Sequence, residues 1–137
     1  MLKLKRATYR HIEAEIFAYK DTLKAIEELR RDIILAGKQE ELAVSGGGYV
    51  GSIVERRATR LADSILLKEM ERITKAIGEV YRDLPEDRRR MLEFKYWGEG
   101  RNLKSPAIAD ALHIDESTLR RWRNGIVYAI AEKLGWY

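Results

Sequence analysis

The chain has 137 residues, of which 35% are charged and 45% hydrophobic, with two prolines and no cysteine. That length holds one domain, or a small domain with a helical appendage, and the composition favours helix. A net charge of +4, from 26 Lys and Arg against 22 Asp and Glu, is spread thinly along the chain, so it permits nucleic-acid binding without demanding it.

The absence of cysteine removes both a disulfide framework and a thiolate metal site. His11 and His113 stand far apart, and no carboxylate cluster joins either at ligand spacing, so no metal is expected. There is no N-terminal apolar h-region and no long apolar run, which points to a cytoplasmic protein with no membrane partner.

Residues 5–36 read as one long helix. Ile12, Ile16, Tyr19, Leu23, Ile26 and Ile33 recur at alternating spacings of four and three, with Arg30 in one apolar slot and Leu29 beside the gap. Gly37 marks its expected end. Residues 37–52 then read as a flexible, Gly-rich linker, since ordering several glycines is entropically expensive. Its GGGYVG run lacks the Lys-Ser/Thr and the preceding strand that a phosphate loop needs.

A second long helix is expected over 53–83. Leu66, Met70, Ile73, Ile77 and Val80 repeat the same spacing, and Leu61 and Ile65 widen the face. Two such stripes must be buried, either as a hairpin within one chain or as a bundle between chains. Ile12, Ile16, Tyr19, Leu23, Ile26, Leu66, Met70, Ile73 and Ile77 are accordingly the expected oligomerisation residues.

Pro85, Glu86 and Asp87 open a third helix, because proline suits the first turn and acids complement its positive end. Gly98, Glu99 and Gly100 stop it. Arg88, Arg89 and Arg90 read as solvated or ion-paired.

Residues 105–124, SPAIADALHIDESTLRRWRN, fit the helix-turn-helix template. Ile108, Ala109, Leu112, Ile114, Leu119 and Trp122 fall at its core positions. Ser105 is the expected cap of the first helix with Pro106 behind it, His113 occupies the tight turn, and Asp115 caps the second helix. At about 100° per residue, Leu119, Trp122, Ile126 and Ile130 share one face of that second helix. Ser117, Arg121, Asn124 and Tyr128 lie opposite, Arg120 on a flank, and Arg123 close to the buried side, where it snorkels or meets an acid.

Arginine engages guanine O6 and N7 with two donors, and asparagine matches adenine N6 and N7. Arg121 and Asn124 are therefore the leading base readers, with Ser117 and Arg120 beside them. Lys104, Ser105 and Tyr128 suit phosphates.

The segments LPEDRRRMLEFKYW and SPAIADALHIDESTLRRWRNGIVYAIAEKLG together resemble the DNA-binding module of sigma factor region 4. With KRATYRHIEAEIFAY and ATRLADSILLKEMERITKAIGEVYRDLP ahead of them, the whole chain resembles phage-encoded transcriptional activators of the RinA and ArpU type. That resemblance implies a phage or prophage regulator of late packaging and morphogenesis genes, acting in the bacterial host cell.

The expectation is an all-α protein with two parts. A helical hairpin or oligomerisation region covers 1–84, and a three-helix helix-turn-helix domain covers 85–137. Its partner is double-stranded DNA. It acts as a homodimer whose long helices join subunits or contact bacterial RNA polymerase. No general acid–base pair, metal set or activated nucleophile is recognisable, so neither an enzyme nor a cofactor is expected. Two alternatives remain open: a small terminase-like DNA-packaging subunit, and a helical interaction protein that does not read DNA.

Overall fold

A computed structural model describes residues 3–46 and 50–137. Helix α1 spans Arg6–Ser45, α2 Val50–Asp83, α3 Glu86–Trp97, α4 Ser105–Ala111 and α5 Glu116–Leu134, with a 3-10 turn at Glu99–Asn102. The described residues form no strand, and the fold is all-α with two long helices first. Among them no helix is long and apolar enough to cross a membrane.

The linker expected over 37–52 is mostly helix. α1 runs through Gly37 to Ser45, and α2 is under way by Val50; residues 47–49, which include two of the glycines, lie outside the described residues. An internal glycine costs a helix about 1 kcal/mol, and tertiary pairing offsets it here. Glu40 is buried, Arg57 Nε donates to one of its oxygens at 3.1 Å, and Arg60 Nε lies 2.7 Å from the other, off the line of a hydrogen bond. Gly37 also leaves space beside Arg60, whose guanidinium would stand 3.4 Å from a Cβ at that position.

The chain divides into two units, and the division does not fall at residue 84. One unit joins Met1–Tyr19 to Lys75–Tyr137; the other is Lys20–Thr74. The beginning of α1 and the end of α2 thus belong with the C-terminal helices, because their apolar residues enter the same core.

In the first unit Ile12, Ile16, Ile77, Val80, Met91, Leu92, Tyr96, Ile108, Leu119, Ile126, Val127 and Ile130 are buried. Burial of this many aliphatic side chains, each contributing about 1.5–3 kcal/mol on leaving water, is the main stabilising term. Aromatic contacts fill the junction of α1, α2 and α3. Tyr19 stacks on Trp97 with ring centres 5.2 Å apart, Tyr81 meets Trp97 edge-on, and Trp97 Nε1 donates to the Ile16 carbonyl at 2.8 Å. Gly100 leaves room at its turn that a side chain would take: a Cβ there would lie 2.6 Å from the Phe94 ring, which would have to move.

In the second unit α1 and α2 run antiparallel, for Arg30 pairs with Glu71 at 3.3 Å while Glu40 pairs with Arg57 and Arg60. Among its described large apolar side chains only Ile26 and Ile73 are buried, whereas Ile34, Leu35, Leu42, Val54, Leu61, Ile65 and Leu66 are exposed.

These exposures revise the oligomerisation residues. Ile12, Ile16, Ile26, Ile73 and Ile77 are buried within the chain, so they present no surface to a second copy. Tyr19 is half-buried on Trp97 and Met70 is half-buried. Leu23 and Leu66 alone of that set remain exposed, at 41% and 51%.

Candidate nucleic-acid interface

The expected helix-turn-helix forms from α4, a short turn and α5, with α4 packed against α5. α4 begins one residue earlier than its sequence suggests. Ser105 is its first helical residue, and Lys104 takes the cap position with extended backbone and no side-chain cap. The Lys104 carbonyl accepts the Ile108 amide at 3.1 Å, and Pro106, which has no amide hydrogen, sits in the first turn where none is needed.

His113 carries the turn in the left-handed region, φ 57°, where glycine would be unstrained. Its amide donates to the Asp110 carbonyl at 3.1 Å and the Ile114 amide to Ala109 at 3.0 Å, closing the end of α4. Asp115 sits at the cap position of α5 but makes no side-chain cap bond. At its far end α5 stops at Gly135, φ 71°, with Trp136 donating back to Ala131.

Six residues were expected to form the motif's core. Ile108, Ala109 and Leu119 are buried, while Leu112, Ile114 and Trp122 are half-buried. Trp122 packs beneath Arg88, whose guanidinium carbon lies 5.5 Å from the ring centre. Arg90 pairs with Glu86 at 2.7 Å, so α3 spends two of its three arginines on structure.

On the outward side of α5, Ser117, Arg120 and Arg121 are exposed, as are Lys104 and Ser105 at the start of α4. Lys104, Arg120 and Arg121 have no ion pair among the described residues. Their charge is therefore available to an anion rather than neutralised within the fold.

Two expected contact residues have other partners. The Tyr9 hydroxyl donates to Asn124 Oδ1 at 2.7 Å, occupying the oxygen that would accept from adenine N6. The half-buried Tyr128 hydroxyl accepts the Leu4 amide at 3.2 Å. Both side chains hold the start of α1 against α5, which commits the Asn124 oxygen and one acceptor position of the Tyr128 hydroxyl within the fold.

Arg123 takes the structural role its helical phase suggests. Its Nε and Nη2 donate to the two oxygens of Glu13 at 2.7 and 2.5 Å, and the Tyr96 hydroxyl donates to the same carboxylate at 2.6 Å. Burial alone would raise the Glu13 carboxyl, but the bonds from Arg123 and Tyr96 outweigh it and hold the group below the usual carboxylate range. The bond to Glu13 raises Arg123 in turn. Burial pushes the Tyr9 hydroxyl up to about 12 despite the opposing Arg123 charge, so it stays a donor to Asn124.

Sequence reasoning missed this docking. Its one signal was Arg123, turned towards the buried side with no acid nearby in the chain; the partner lies 110 positions away.

No curated protein and no solved structure matches the chain. A family model described as "Protein of unknown function (DUF722)" matches residues 18–132. That match spans most of the sequence, and the protein belongs to the DUF722 family.

Proposed function

We propose that the protein is a sequence-specific DNA-binding transcriptional regulator whose α5 enters the major groove. The observation that carries this reading is the asymmetry of α5. Leu119, Ile126 and Ile130 are buried on one side, while Ser117, Arg120 and Arg121 project, exposed, from the other. Arg121 reads guanine through its paired donors, with Ser117 and Arg120 on neighbouring base edges. Lys104, Ser105 and the first amides of α4 hold phosphates and set the register.

A homodimer supplies the second reading helix that a short recognition site needs. The exposed apolar residues of the second unit, with Ile34 at 60%, Leu61 at 63% and Ile65 at 62%, support contact with another copy there. The resemblance of its sequence segments to phage activators of the RinA and ArpU type supports a setting in a bacterial host cytoplasm, with action on late packaging and morphogenesis genes and RNA polymerase as a further partner.

Selection of bound duplexes from a random library, at stated salt, tests the reading. Enrichment of one sequence in two symmetric halves is expected. A library that emerges without enrichment contradicts it, and ring-sized oligomers in light scattering would instead favour a DNA-packaging subunit.

A further inference from the structure

We propose that the start of α1 is a second DNA-contacting element, in which Lys3, Arg6 and Arg10 clamp the phosphate backbone beside the site that α5 reads. The proposal rests on the DNA-binding reading above and extends its contact surface by residues from the opposite end of the sequence.

Lys3, Arg6 and Arg10 line one groove of about 590 Å³ together with Asn124 and Arg123 of α5. All three cations are exposed, and none has an ion pair among the described residues. The one acid in the groove, Glu13, is committed to Arg123 and Tyr96, so it neutralises none of them. Arg6 and Arg10 stand one turn apart on the same helix face. The Tyr9–Asn124 and Leu4–Tyr128 hydrogen bonds fix that face against α5. Asn124 in turn lies one turn beyond Arg120 and Arg121 on α5. Through Asn124 the groove adjoins the turn of α5 that follows Arg120 and Arg121.

A second observation points the same way. The first turn of α1 contains no acid and carries Arg6, directly after Lys3 and Lys5. Cations at a helix N-terminus oppose the macrodipole, at a cost of about 0.3–1 kcal/mol each. An anion placed there relieves that repulsion and meets both the side-chain charges and the positive helix end. The groove is open and its cations are solvated, which suits a polyanion held at several phosphates. Because helix-turn-helix proteins present the first turns of the recognition helix to the bases, groups beside Asn124 meet the flanking backbone. They add affinity without sequence choice.

The test uses the full chain and two DNAs, the selected site and a random duplex, over a salt series. Lys3→Ala/Arg6→Ala/Arg10→Ala should weaken binding to both by roughly tenfold or more. The slope of log affinity against log salt should become shallower by roughly 0.9 for each phosphate that the variant no longer neutralises, with the preferred sequence unchanged. Arg6→Lys/Arg10→Lys keeps the charge and should keep the wild-type slope, and its helical circular dichroism reports folding. If the alanine variant retains wild-type affinity and slope while Arg121→Ala loses sequence preference, the clamp is refuted and the DNA-reading helix stands. A wild-type chain that binds no duplex refutes both. A slope that falls equally in the lysine variant also overturns the clamp, since charge would not be its cause.

Discussion

The unit formed by Met1–Tyr19 and Lys75–Tyr137 and the unit formed by Lys20–Thr74 use the same two helices in opposite ways. In the first, α1 and α2 carry Ile12, Ile16, Ile77 and Val80 into a closed core with the C-terminal helices. In the second, they keep the same apolar periodicity but bury only part of it, leaving Leu23, Leu61, Ile65 and Leu66 exposed. A stripe of regular spacing thus does not by itself say whether its burial is internal. The number of elements that surround it decides, and the second unit has only two.

Core truncation should separate the units most strongly. Ile126→Ala in the first is expected to lose about 3 kcal/mol, as cavity-forming changes in closed cores do. Ile65→Ala, at an exposed site of the second, should cost under about 0.5 kcal/mol in the isolated chain. Urea unfolding of both variants at low protein concentration checks this. Equal losses would break the comparison.

The buried carboxylates give the next contrast. Glu13 is held by Arg123, with 32% of its side chain exposed, and by the buried Tyr96; Glu40 is held by Arg57 and Arg60, with 59% and 42% exposed. Removing a buried partner strands the other charge. Glu13→Gln should therefore cost about 2–3 kcal/mol, and Glu40→Gln about 1 kcal/mol, since the Glu40 arginines return readily to water. The Glu13 carboxyl is depressed in the folded chain, so its contribution is complete above the unfolded value of about 4.3 and lost as pH falls through the folded value. Denaturation midpoints of wild type should drop over that acid range more than those of Glu13→Gln. Parallel pH profiles would show that the carboxylate is not held as described.

Two turns sharpen the account at smaller scale. Gly100→Ala must displace the Phe94 ring, and a loss of about 1–2 kcal/mol in thermal unfolding is expected. His113→Gly relieves a left-handed non-glycine residue and should raise stability by about 0.5–1 kcal/mol. A melting point lowered by His113→Gly would mean that the imidazole itself supports the turn.

What could be read from the chain follows from the range of the interactions. The helix-turn-helix is local: Ile108, Ala109, His113 and Leu119 are near neighbours in sequence, and helical phase alone separates Arg123 from Arg120 and Arg121. The longer reach was hidden. Gly37 looks like a stop until Glu40 finds Arg57 and Arg60 on α2. Asn124 and Tyr128 look free until Tyr9 and Leu4, more than a hundred residues earlier, take up their polar atoms. Lys3, Arg6 and Arg10 carry no motif at all, and only the packing of α1 on α5 brings them into one groove with Arg123 and Asn124.

The most direct test of the DNA-reading face is the position-by-position base preference of folded Arg121→Ala set against wild type. A loss of about 1–3 kcal/mol confined to one guanine position in each half-site, with preference elsewhere intact, is the expected result. An unchanged preference at every position in a variant with wild-type melting would contradict the assignment of α5 as the reader.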